Sequence, residues 1–239
     1  MWFEIPSHNK KLEGKKMNEL LFLVEMILVF VMVVLAKKFF GKEGLFIWIA
    51  IASILANIQV TKSINIFGIS ATLGNVLFSS NFLATDILTE CYGMKEAKKG
   101  VYISLFSIIC YICISQLTVL FSPNEIDIVS SSMSQLFSLA PRVCISSVLM
   151  CFIANFADVV LYEKLLNKFN GKYMWLRNNI STILCNCLEN FFCVFLAFAG
   201  IYEFKKIIII AASTSILEII IAICDTPFLY LAKKSSKQI

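Results

Sequence analysis

The sequence predicts an all-α, polytopic membrane helix bundle of about seven transmembrane helices, and three observations predict it. Of 239 residues, 59% are hydrophobic and 15% charged, against roughly 45–50% apolar residues in soluble domains. Apolar stretches of about 20 residues, the length that crosses a bilayer as a helix, recur along the whole chain and leave no segment for a soluble domain. Most lysines and arginines gather at the ends of those stretches. The expected organisation is one transmembrane domain over 17–232, a six-helix core plus an N-terminal helix, between a tail over 1–16 and a basic C-terminal tail over 233–239.

The spans read as 18–36, 44–61, 70–92, 101–121, 140–162, 179–200 and 207–231. The third is the least apolar, with Asn75, Ser79, Ser80, Asn81, Thr85, Asp86 and Glu90, so it can cross only if that polar face looks into protein. The connection over 122–137 is Ser-rich and acidic, holds nothing that orders it, and is expected to be flexible. The connection over 163–178 is basic with Trp175 near its end, which suits the headgroup layer.

Charge sets the orientation. Spans one, three, five and seven end in Lys37, Lys38 and Lys42; Lys95, Lys98 and Lys99; Lys164, Lys168, Lys172 and Arg177; and Lys233, Lys234 and Lys237, while the other side holds Lys62, Lys205 and Lys206. An N-terminus outside and a C-terminus in the cytoplasm follow for a multi-pass protein of the plasma membrane. The tail, with Lys10, Lys11, Lys15 and Lys16, runs against this; Glu13–Met17 reads as a translated ribosome-binding site ahead of a start at Met17. The net charge of +5 therefore faces lipid headgroups, and no nucleic-acid partner is expected.

Several chemistries drop out. The nine cysteines fall inside the spans or at their edges, where free Cys acts as a small hydrophobe; the pairs Cys110/Cys113 and Cys185/Cys187 have no second pair at zinc spacing and no histidine nearby. No metal or other cofactor is expected. No phosphate-binding glycine loop occurs, so the chain does not itself hydrolyse ATP by that route. The one histidine, His8, lies in the tail, which removes His-activated nucleophiles. The chain reads as no enzyme; an intramembrane aspartyl-type enzyme using Asp86 and Asp225 is the rival class.

Seven acids, Glu25, Asp86, Glu90, Asp158, Glu189, Glu218 and Asp225, fall inside or at the rim of the spans, and Arg142 is the one basic residue clearly within one. Each charge at mid-bilayer costs about 2.5–3.5 kcal/mol, so the acids are expected to line one polar cavity. Helical spacing agrees: Asp86 and Glu90 are four residues apart, while Asn155 with Asp158 and Asn186 with Glu189 are three apart, each pair on one face. Ala154–Asp158 recurs as Cys185–Glu189, which suggests an inverted pseudo-repeat in helices five and six with Asn155 facing Asn186. The expected substrate-binding residues are Asn75, Phe78, Asp86, Glu90, Asn155, Asp158, Asn186, Glu189 and Glu218. Carboxylates accept paired N–H groups of a guanine-like ring, Asn amides serve a mixed edge, and Phe78, Phe82, Phe156 and Phe191 offer faces for stacking. Such a site fits a neutral or cationic heterocycle and excludes anionic nutrients.

Five blocks carry a family resemblance: Ala56-Asn57-Ile58-Gln59-Val60, Gly74-Asn75-Val76-Leu77-Phe78, the run from Phe82 to Gly93, Trp175-Leu176-Arg177-Asn178-Asn179 with Ser181-Thr182, and Asp225-Thr226-Pro227-Phe228. With them the chain resembles the queuosine precursor transporter (YhhQ/VUT) family over residues 17 to about 232. The resemblance implies import of a 7-deazapurine base such as preQ0, preQ1 or queuine for tRNA modification. It departs from the family pattern at Ala154-Asn155, Asn186, Glu189 and Glu218, the last standing where a lysine is usual, so the preferred base is expected to differ. Coupling stays open between a proton and a separate ATPase module, the latter making the chain the substrate-binding subunit of an energy-coupling-factor importer.

Overall fold

The computed structural model describes residues 8–137, 141–200 and 203–235; the side chains of 8–15, Ser70, 141–145, 197–198 and Ser235 fall outside the description. Arg142 and Lys237, named above, are among the side chains left outside, as is Cys144, one of the nine cysteines. The described residues form α1 (His8–Gln59), a hairpin of β1 (Ser63–Ile66) and β2 (Ile69–Thr72), then α2 (Asn75–Tyr92), α3 (Met94–Leu120), α4 (Ser130–Phe137), α5 (Pro141–Lys168), α6 (Met174–Phe198) and α7 (Phe204–Ser235). Four stretches among them are long and apolar enough to cross a membrane: Lys16–Gln59, Met94–Leu120, Met174–Leu196 and Phe204–Lys234.

The helix α1 is two rods, because Gly41 takes φ 61° and ψ −138°, a conformation open to glycine. Residues 34 apart on a straight helix lie about 51 Å apart, yet Gln59 Nε2 donates to Glu25 Oε1 at 2.7 Å. The limbs therefore fold back on each other. Near the reversal Gly44 rests on the Ala36 carbonyl so closely that a Cβ would overlap it. Spans one and two of the sequence reading are these two limbs.

At the centre stands α2. Fourteen of its eighteen residues are buried, which gives its polar face the protein surroundings that the sequence requires. It is stitched to its neighbours by hydrogen bonds, which hold helices together where hydrophobic association is weak: Trp48 Nε1 donates to Ser80 Oγ at 3.0 Å, Asn81 Nδ2 to Ser53 Oγ at 3.1 Å, and Ser53 and Ser104 hydroxyls meet at 2.8 Å. Where α3 crosses, Gly100 admits Ile49 and Leu88 so closely that a Cβ would meet their methyls at 2.9 and 3.1 Å. Large apolar side chains such as Leu20, Ile27, Phe106, Leu117, Ile216 and Ile223 are exposed on the outer faces. Polar groups inside and apolar groups outside is the arrangement that lipid demands.

Three expectations are corrected. The third span does not begin at residue 70: Ile69–Thr72 pairs antiparallel with Ser63–Ile66, and Phe67 and Gly68, at φ 50° and 80°, make the two-residue turn that matches strand twist. The connection after α3 is ordered in part, since Asp127 accepts from the Ser130 hydroxyl at 2.7 Å and from the Ser130 and Val129 amides at 2.8 and 2.7 Å, starting α4. Those bonds, the hydroxyl's first, hold the Asp127 carboxyl below the usual carboxylate range. Arg177 and Lys37 are not headgroup residues: they are 0% and 3% exposed.

Candidate functional site

Read along α2 from Asn75 to Glu90, the polar interior divides into three layers. The first is a cavity of about 130 Å³ beside the hairpin, walled by Asn57 of α1 and Val60 just after it, by Thr72 of β2, by Asn75, Phe78, Ser79 and Phe82 of α2, by Ser147 and Cys151 of α5, by Asn186, Glu189 and Asn190 of α6, and by Thr214 and Glu218 of α7, among others. Asn190 Nδ2 donates to Glu218 Oε2 at 2.6 Å. Asn186 and Ser79, 2% and 1% exposed, line this space, and each carries a buried side-chain oxygen with no partner among the described residues. Buried oxygens without donors are costly, so the wall has capacity that a guest can use.

One turn deeper lies a carboxyl layer. Asp86, Asp158 and Asp225, from α2, α5 and α7, have no exposed surface. The Thr182 hydroxyl lies 3.4 Å from Asp86 Oδ2 and 3.5 Å from Asp158 Oδ1, serving both, and Asn178 Nδ2 donates to Asp225 Oδ1 at 2.8 Å. Pro227, inside α7, follows Thr226, whose hydroxyl oxygen accepts from Asn179 Nδ2 at 2.8 Å.

The third layer closes the far end. Glu90 Oε2 accepts from Arg177 Nη2 at 2.7 Å and from the Tyr162 hydroxyl at 3.0 Å, and Lys233 Nζ pairs with Oε1. The Arg177 guanidinium lies 5.3 Å from the Tyr162 ring centroid. Lys37 donates to the Ala232 carbonyl and to Cys91 Sγ, so α1, α2, α5, α6 and α7 all meet here.

Of the nine expected site residues, the cavity gathers Asn75, Phe78, Asn186, Glu189 and Glu218. The other four lie outside its lining. Asp86 and Asp158 belong to the carboxyl layer, Glu90 to the ionic layer, and Asn155 turns back to its own helix, donating to the Cys151 carbonyl at 2.8 Å. Asn155 and Asn186 therefore do not share the cavity, and the single chamber expected for all seven acids is three layers holding six of them, with Glu25 apart in a recess beside Lys62 and bonded to Gln59. Of the aromatic candidates, Phe82 joins Phe78 in the lining, whereas Phe156 packs on Tyr102 and Phe152 and Phe191 on Phe195. Asn57 and Asn190 are lining residues that the sequence reading did not select. Asn57 lay within a family block and Asn190 one turn after Asn186, so both carried a signal.

Residues 72–232, from the last residue of β2 into α7, match the family model described as "Putative vitamin uptake transporter". The chain is 35% identical over 209 residues to the "Probable queuosine precursor transporter" of Bacillus subtilis (strain 168), covering 87% of this chain and 91% of that one. No solved structure matches. The matched region takes in the carboxyl layer and every cavity residue except Asn57 and Val60, and with the apolar helices that could cross a membrane it establishes that this multi-pass membrane protein belongs to the queuosine precursor transporter (YhhQ/VUT) family.

Proposed function

We propose that this chain imports a queuosine precursor, a 7-deazapurine base, and that the cavity beside the hairpin is where the base sits. The observation that carries the reading is the lining itself: four Asn amides, two Glu carboxyls and the Phe78 and Phe82 rings in one small space. Amides and carboxyls match the mixed donor and acceptor edge of a guanine-like ring, and the rings supply stacking faces. At about 130 Å³ the space falls below the roughly 300 Å³ at which pockets for drug-sized ligands begin, which favours a bare bicyclic base over a nucleoside. Asn75, Phe78, Asn186, Glu189 and Glu218 are the proposed contacts, joined by Asn57 and Asn190.

Seven crossings are the reading adopted for the membrane: two limbs of α1, then α2, α3, α5, α6 and α7. With the basic ends in the cytoplasm, the N-terminus lies outside, the hairpin and cavity face outward, and the Glu90 layer seals the inner end. The test is a strain unable to make the base, in which tRNA queuosine depends on uptake. The wild-type chain restores queuosine from supplied base, and Asn186→Ala lowers uptake about tenfold, the worth of one buried hydrogen bond of about 1.4 kcal/mol, with normal membrane insertion. Uptake by Asn186→Ala equal to wild type would remove the site.

A further inference from the structure

We propose that the cavity selects a 7-deazapurine carrying a protonated amine over a neutral one, with Glu189 and Glu218 receiving the ammonium group. The inference rests on the import reading and goes further by assigning the charge of the cargo. It begins from a charge inventory. The lining holds two acids, Glu189 on α6 and Glu218 on α7, and no lysine, arginine or histidine. Among the described residues the cations within the bundle are engaged elsewhere: the buried Arg177 and the half-exposed Lys233 bind Glu90, and the buried Lys37 binds the Ala232 carbonyl. Lys62 belongs to a separate recess with Glu25.

The hydrogen-bond inventory points the same way. Glu218 has one neutral donor, Asn190 at 2.6 Å, and no ion pair involves Glu189 or Glu218 among the described residues. Asn186 and Ser79 share the lining with them, and Asn186 Oδ1 and Ser79 Oγ are buried and without partners among the described residues. An ammonium group brings three N–H donors and no acceptor, the complement of carboxyl oxygens plus an amide oxygen. A neutral substituent on the same ring leaves the acids without counter-charge, and buried charge is costly unless paired. Charge-assisted hydrogen bonds are also the stronger kind. On this proposal the guest supplies the positive charge that no described residue places in the lining.

The experiment is equilibrium binding to the purified full chain in nanodiscs with three bases that share one ring: 7-aminomethyl-7-deazaguanine, its N-acetylated form, and 7-cyano-7-deazaguanine. The aminomethyl base is expected to bind about tenfold more tightly than either neutral one. Glu189→Gln and Glu218→Gln, each checked for a monodisperse elution profile, should bring that ratio toward one. Equal or reversed affinities in the wild type, or a ratio that neither substitution changes, overturns charge selection while leaving base import standing. Failure to bind any of the three bases overturns both. Because the acetylated base tests the charge in the wild-type chain, the comparison holds even if a variant does not fold.

Discussion

The two ends of α2 handle polar groups in opposite ways. At the Asn75 end, Ser79 and Asn186 line a cavity and hold buried oxygens that have no partner among the described residues. At the Glu90 end both carboxylate oxygens are occupied, by Arg177, Tyr162 and Lys233. The first is the proposed seat of the base; at the second Glu90 ties α2 to α5, α6 and α7, although Arg177 Nε and Nη1 have no partner there among the described residues. The difference teaches that polarity inside a membrane bundle is not enough to assign a binding site; the proposed assignment rests on polar groups that also line a cavity. Between them the Asp86, Asp158 and Asp225 layer connects the two, one helical turn from Glu90 on α2 and from Tyr162 on α5.

The largest test of this contrast is Arg177→Gln. Removing one partner of a buried ion pair costs about 3–5 kcal/mol, so the variant should lose most of its folded population in a detergent melting assay. Lys233→Ala, whose side chain is 43% exposed, should cost under about 1 kcal/mol. An Arg177→Gln melt equal to wild type would break the view that this end is structural. Next come the glycines that flank α2. At Gly74, φ is 100° and an added Cβ would stand 2.9 Å from the Ala56 carbonyl oxygen, so Gly74→Ala should cost about 2–3 kcal/mol and impair uptake by shifting the cavity wall. Gly93, at φ 88° with open space around it, should cost about 1 kcal/mol as Ala, and its uptake should hold. Melting temperatures and uptake measured on both variants sharpen the contrast, and equal effects would contradict it.

The smallest expected effect lies outside the bundle. Asp127 has a depressed carboxyl pKa through its bonds from Ser130 and Val129, so its contribution is present above the ordinary carboxylate range and is lost as pH falls through the depressed value. Hydrogen exchange at the Val129 and Ser130 amides should quicken, relative to the intrinsic rate, at that acid pH. In Asp127→Ala it should be fast throughout. Uptake should stay at the wild-type level in that variant, because Asp127 touches neither end of α2.

Much of this molecule was legible from residues alone. Hydropathy located both limbs of α1, α3, α6 and α7, since a bilayer imposes length and apolarity on each helix separately. The polar face of α2 announced its burial for the same reason. Asn75, Asn186, Glu189 and Glu218 could be chosen because ionisable and amide groups at bilayer depth need a purpose, and Phe78 as a face for stacking. The hairpin escaped notice because Ile69–Thr72 continues an apolar run whose period does not separate strand from helix over four residues.

What sequence by itself determined, then, was the class of solvent, the all-helical character and the chemistry available inside, because each follows from the local cost of placing a group in lipid. Tertiary structure alone decided the pairings. Arg177 reads as one more basic residue of a cytoplasmic connection until α2, α5 and α7 bring Glu90, Tyr162 and Lys233 around it. The acids read as one set until the axial order of the helices divides them into a cavity, a carboxyl layer and a seal. Periodicity reports which face a residue occupies, while the depth at which faces from different helices meet depends on packing between elements far apart in the chain.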